Sequence, residues 1–147
     1  MNNYFNEKNV HSVDLKGRIL LPRDIRDNHK LKKGDALVCV PSVTSPAYVE
    51  IRTEAQWKKY RASLRGTEPG ESKKDSFRMA DLSKDTATVD GQGRVLIPEW
   101  IREACKIKKS VAVVDMDEYI EVWAKENIEQ KYDQMVRAFK ERNDQLF

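Results

Sequence analysis

Residues Asp14–Pro22 read DLKGRILLP and residues Asp90–Pro98 read DGQGRVLIP, so any fold for this chain must build the same loop twice. At a fixed offset of 76, Asp14–Val38 and Asp90–Val114 match at 12 of 25 positions without a gap. Asp14/Asp90, Gly17/Gly93, Arg18/Arg94, Pro22/Pro98, Arg26/Arg102 and Lys33/Lys109 are among the identities. The match resumes five residues shorter, where YVEIRTEAQW at Tyr48 answers YIEVWAKENI at Tyr119. The extra residues are expected in PSVTSPA (Pro41–Ala47), a Pro/Ser-rich hairpin connection. Two copies of one small unit predict an internal pseudo-twofold.

Each copy reads alike. Val10–Asp14 and Ala87–Asp90 end strands that lead into a turn, where Gly17 and Gly93 supply backbone freedom. RILLP and RVLIP are short aliphatic strands stopping at a proline, which suits the first position of a helix. PRDIRDNHKL and PEWIREACKI follow as short helices burying Ile25 and Ile101, before lysine-rich turns. ALVCV and VAVVDM then read as apolar strands, with YVEIR and YIEVW as hairpin partners that alternate apolar and polar. Thr53 and Gln56 have the spacing of a capping box for the helix TEAQWKKYRASL, whose Trp57, Tyr60 and Leu64 share a face. The expected organisation is a first unit over 8–64, a connection over 65–83 with a short helix, a second unit over 84–130 and a helical extension over 131–147. In the connection, Arg65–Asp75 is polar and turn-rich, and SFRMADL suits one or two helical turns. In the extension, Ile128, Tyr132, Met135, Phe139 and Leu146 form a helical stripe interrupted at Arg142. That stripe packs either on its own domain or on a neighbouring subunit.

Composition narrows the function classes. There is no apolar run of about 18 residues to span a membrane, and Met1–Asp14 has neither the basic start nor the apolar core of an export signal. Cys39 and Cys105 are the only two cysteines and lie in apolar segments, which predicts buried thiols in a reducing cytoplasm. His11 and His29 have no metal-ligand spacing. The serines lack a nucleophile-elbow context, and the repeated loop has no following Lys-Ser/Thr to cradle a phosphate. The expectation is a non-enzymatic protein without metal, cofactor or evident small-molecule ligand.

The net charge is only +3, but residues 14–33 hold seven Lys/Arg against three Asp and residues 90–109 hold five against three acids. The two segments therefore carry +4 and +2, leaving −3 for the rest. Positive charge gathers where the repeat is, as a surface facing a polyanion requires. Asp14 and Asp90 are suited to tying down the turn amides. Arg18 and Arg94, directly after the glycines, project a planar fork suited to phosphates or guanine edges. Each arginine is equally placed for a surface ion pair with its own aspartate, and the two roles coexist if the aspartate aims the arginine. Arg26, Lys33, Arg102 and Lys109 are the next candidates for contact.

DLKGRILLP and DGQGRVLIP, each followed by a helix with Ile-Arg at its centre, resemble the AbrB-type swapped-hairpin fold. Two such units in one chain, with HSVDLKGR and YIEVWAKE, resemble the MraZ family of bacterial transcriptional regulators over about residues 8–130. The resemblance implies an α+β fold: tandem swapped-hairpin β-barrel units with short flanking helices and a pseudo-twofold within the chain. It also implies binding of double-stranded DNA at repeated promoter elements, usually as a repressor of the family's own division and cell-wall gene cluster. The chains would assemble into homo-oligomeric rings, cytoplasmic and associated with the nucleoid. The residues carried over are Asp14, Arg18, Asp90 and Arg94, with Lys16 and Gln92 as secondary candidates; Arg26 and Arg102, read from the repeat itself, complete the expected DNA-binding set. The polar, glycine-bearing Arg65–Asp75 and the long terminal helix depart from the family pattern. The alternative function is an oligomeric scaffold or toxin-neutralising protein of AbrB fold that acts through protein partners.

Overall fold

The structure is a computed structural model that describes residues 5–65 and 70–142. A single 3-10 turn at Glu7–Asn9 leads into β1 (Val10–Ser12), and the first copy continues with β2 (Arg18–Leu20), α1 (Arg23–Asn28), β3 (Ala36–Pro41), β4 (Val49–Thr53) and α2 (Glu54–Ser63). The helix α3 (Gly70–Ser83) joins it to the second copy. That copy contains β5 (Asp85–Thr88), β6 (Arg94–Leu96), α4 (Glu99–Ala104), β7 (Ser110–Asp115), β8 (Ile120–Ala124) and α5 (Lys125–Glu141).

The two copies are woven into each other. Six strands form one antiparallel sheet in the order β1-β7-β8-β4-β3-β5, so the first strand of each copy lies against the third strand of the other. The remaining two strands, β2 and β6, make a ribbon in which Ile19 faces Val95 and Arg18 and Leu20 face Leu96 and Arg94. That register maps onto itself when the copies are exchanged, as does Val49↔Val122, Glu50↔Glu121, Ile51↔Ile120 between β4 and β8. The expected pseudo-twofold therefore runs through the Ile19–Val95 pair and the Glu50–Glu121 pair. One core serves both copies: Ile19, Leu21, Ile51, Val95, Ile97 and Val122 are fully buried in a single cluster.

The register also corrects the gap-free alignment. Ala36 pairs with Thr88 whereas Ser110 pairs with Ser12, so β3 and β7 correspond at an offset of 74, not 76. The first copy holds two extra residues in its lysine-rich turn, where the Asp35 carboxylate accepts from the Lys32 amide and Gly34 sits at φ 89. Lys33/Lys109, Ala36/Ala112 and Val38/Val114 are thus identities of spelling that do not share a position. Only three of the five extra residues lie in the hairpin connection.

The helices follow local chemistry. Thr53 and Gln56 do form the capping box of α2. α1 and α4 start after Pro22 and Pro98 and each buries one isoleucine, Ile25 or Ile101. Helix α3 is 14 residues long, far more than one or two turns, and begins within the polar Arg65–Asp75 stretch; residues 66–69 of that stretch lie outside the described residues. α5 starts directly after β8, so position 130 falls inside one continuous helix. Val136 and Ile128 are buried on it, while Leu146 of the expected stripe lies outside the described residues.

β8 departs from the alternation expected of it, because all five of its residues are buried. α5 and the hairpin connection cover its outer face, and its polar residue is satisfied there. Glu121 accepts from the Tyr119 hydroxyl at 2.8 Å and the Trp123 indole N–H at 2.9 Å, and Trp123 stacks on Tyr48 with centroids 4.4 Å apart. Across the axis, Glu50 accepts from Arg52, whose guanidinium lies between the Tyr60 and Tyr119 rings.

Candidate nucleic-acid interface

The two repeated loops have the same construction, atom for atom. Asp14 Oδ1 accepts from the amides of Lys16 and Arg18 at 2.9 and 2.8 Å, and its Oδ2 accepts from Arg18 Nε at 2.7 Å. Asp90 Oδ1 accepts from the amides of Gln92 and Arg94, both at 2.9 Å, and its Oδ2 accepts from Arg94 Nε at 2.8 Å. Each aspartate thus closes its turn and holds its arginine, the two roles that the residue types predict. Both turns need a left-handed residue, supplied by Gly17 at φ 88 and Gly93 at φ 81.

These bonds set the carboxylate chemistry. The Arg94 amide, acting with the Gln92 amide and the Arg94 side chain, pulls the Asp90 pKa down to about 2 against the partial desolvation of the loop. At Asp14 desolvation is the largest influence and acts upward, but the Arg18 and Lys16 donors together outweigh it and leave the group below its ordinary value. Both loops therefore hold a charged aspartate at neutral pH.

The pseudo-twofold brings the loops together. β2 and β6 follow them directly, and Arg94 Nη1 lies 3.9 Å from Asp14 Oδ2. Arg18 and Arg94 are each 29% exposed, with Nε held by the aspartate of their own loop. The same outward face of the ribbon carries Leu20 and Leu96, each opposite an arginine of the other copy and about half exposed. The loop tips diverge: Leu15 and Lys16 are exposed on the first, Gly91 and Gln92 on the second. Asp14, Arg18, Asp90 and Arg94 thus converge on one surface, with Lys16 and Gln92 exposed at the two loop tips.

Arg26 and Arg102 sit differently from those six. Each bonds through Nε to a backbone carbonyl at the end of its own strand, Leu21 at 2.9 Å or Ile97 at 2.8 Å, and is partly buried. Sequence spacing gives no sign of this bond. Lys33 runs beside Gly91, so the first copy lays a cationic stem along the second loop.

Residues 82–147 match the family model described as "MraZ protein, putative antitoxin-like". Transcriptional regulator MraZ of Thermoanaerobacter pseudethanolicus is 33% identical over 119 residues, covering 79% of this chain and 78% of that protein. The protein of the same name from Heliobacterium modesticaldum is 24% identical over 137 residues, 92% of each chain. That of Bacteroides thetaiotaomicron is 27% identical over 122 residues, 82% of this chain and 78% of its own. A solution structure from Pyrococcus horikoshii superposes with a TM-score of only 0.37, at 20% identity over 77% of this chain and 82% of that one. On the duplicated loop, the interleaved strands and these relatives, the chain belongs to the MraZ family.

Proposed function

We propose that this protein is a DNA-binding transcriptional regulator that represses its own division and cell-wall gene cluster. In this reading it binds repeated promoter elements as an oligomeric ring in the cytoplasm, on the nucleoid. The observation that carries the reading is the convergence of two identically built loops at the β2–β6 ribbon, each offering one arginine and one flanking polar residue. Arg18 and Arg94 are the principal contacts, with Lys16 and Gln92 beside them and Asp14 and Asp90 aiming the arginines. Arginine and lysine suit guanine edges and phosphates, and glutamine suits adenine. In this reading the ion pair with the aspartate aims each arginine through Nε, and DNA takes over the guanidinium ends.

A gel-shift titration against DNA immediately upstream of the gene tests the proposal, run alongside an Arg18→Ala/Arg94→Ala double variant. The expected result is a specific shift by the parent protein and its loss in a double variant that still folds and assembles. Each arginine-to-base interaction is worth about 1–3 kcal/mol. Parent-like binding by a folded double variant would sink the loop-contact reading. Retention of a stoichiometric protein partner with no DNA bound would favour the scaffold or toxin-neutralising role instead.

A further inference from the structure

The geometry points to Arg26 and Arg102 as positioning residues that set the loop of the opposite copy, so that each DNA-facing loop is shaped by the other half of the chain. A Cβ built on Gly17 would stand 2.6 Å from Arg102 Cζ, and one on Gly93 would stand 2.6 Å from Arg26 Cζ. The flat guanidinium occupies the space where any side chain of the loop glycine would have to go. Both glycines are buried beneath it.

The guanidinium is not a loose chain end. Arg26 Nε donates to Leu21 O and Arg102 Nε donates to Ile97 O, at the point where each ribbon strand meets its helix. Leu21 N in turn donates to Gly93 O at 3.2 Å, so strand end, arginine and opposite loop are tied at one place. The repeated arginine in α1 and α4 and the repeated glycine in the loops are therefore two halves of one contact, crossed between the copies. A planar donor group fits flat against a bare peptide, where the tetrahedral ammonium of a lysine would not. Positioning is the role this placement supports: Nε is committed to its own backbone, and the guanidinium packs against the bare glycine of the opposite loop with the arginine only partly exposed.

The inference rests on the DNA-binding reading only for its affinity arm. The test uses full-length, isotope-labelled Arg102→Gln and Arg26→Gln variants, which keep the stem and one amide donor and remove the guanidinium. Amide NMR shifts and hydrogen exchange are compared with the parent, and a duplex of the sequence immediately upstream of the gene is titrated across a salt series. Arg102→Gln is expected to move the amides of Lys16–Arg18 and spare Gln92–Arg94; Arg26→Gln is expected to do the reverse. Each should weaken binding about tenfold with the log–log salt slope unchanged. Unmoved loop amides in both variants would overturn the inference. So would a salt slope shallower by about 0.9 per arginine replaced, the signature of a side chain that neutralises a phosphate directly. Gly17→Ala is the reciprocal variant and should disturb Ile97 and Arg102 in the opposite copy; signals unchanged there would count equally against it. If the parent protein binds no DNA, the proposed function fails while the amide shifts still decide the positioning role.

Discussion

At the scale of single residues, the aspartates and cysteines show how environment sets chemistry. Asp90 has its pKa held near 2, chiefly by the Arg94 amide, against an ordinary 3.8. A carboxyl depressed on folding stabilises the folded state above its unfolded pKa, and that contribution is lost as pH falls through the folded one. The loop is therefore expected to hold its order through pH 4 and lose it toward about 2. A side-chain carboxyl NMR titration with an Asp90 midpoint at an ordinary value would contradict the bonding described. Cys39 and Cys105 are fully buried, and burial, joined at Cys39 by the charge of Asp85, pushes the thiols up to about 12 and about 11. Since the thiolate is the reactive form, neither is expected to alkylate at pH 8 in the folded protein, and both should do so in denaturant. Rapid labelling of native protein, read by mass spectrometry, would count against the packing.

At the scale of elements, one tie between the copies is not repeated. Buried His29, at the end of α1, joins Gln56 of α2 through Nδ1 and Asp115 of β7 through Nε2, both at 2.8 Å. Gln56 Oε1 already accepts from the Thr53 amide, so its NH₂ donates to Nδ1 and the Nε2–H is left for the Asp115 carboxylate. One capping residue thus links the helix start of the first copy to the hairpin of the second. His29→Leu would strand the Gln56 side-chain donor and take one of three donors from the Asp115 carboxylate, and is expected to cost about 1–3 kcal/mol of stability, read by chemical denaturation, with DNA affinity unchanged. This tie was not legible in the sequence, because the counterpart of His29 is Cys105 and repetition gives no signal for it. The legible parts were those set by short-range chemistry: the capping box, the proline helix starts, the glycine turns and the Asp–Arg loops. The register of β3 against β7 was not legible, since alternating apolar residues score alike when slipped by two. Burial of Glu121 is not legible for a related reason: alternation marks a polar face, and only a covering element decides whether that face meets water.

At the scale of the whole molecule, charge and symmetry set what one chain can do alone. Each chain has one loop pair, and a short element gives one pair too little contact for tight specific binding. A homo-oligomer larger than a dimer is therefore expected, and a stable monomer at micromolar concentration in light scattering would contradict the proposed ring. The charge distribution makes a further demand. The chain carries only +3 overall, yet its two loop-bearing segments hold +4 and +2, so approach to a polyanion through those segments is favoured over approach through the rest. Bound in this orientation, every subunit on the operator would replace condensed counterions with its loop cations. The observed affinity should then fall with a log–log salt slope of about −0.9 per phosphate neutralised. Several loop pairs engaged at once should give a steep total slope, and the Arg18→Ala/Arg94→Ala protein should retain at most a shallow one. A nearly flat dependence for the parent between about 50 and 200 mM salt would mean that the clustered charge serves some other surface than the one that meets DNA.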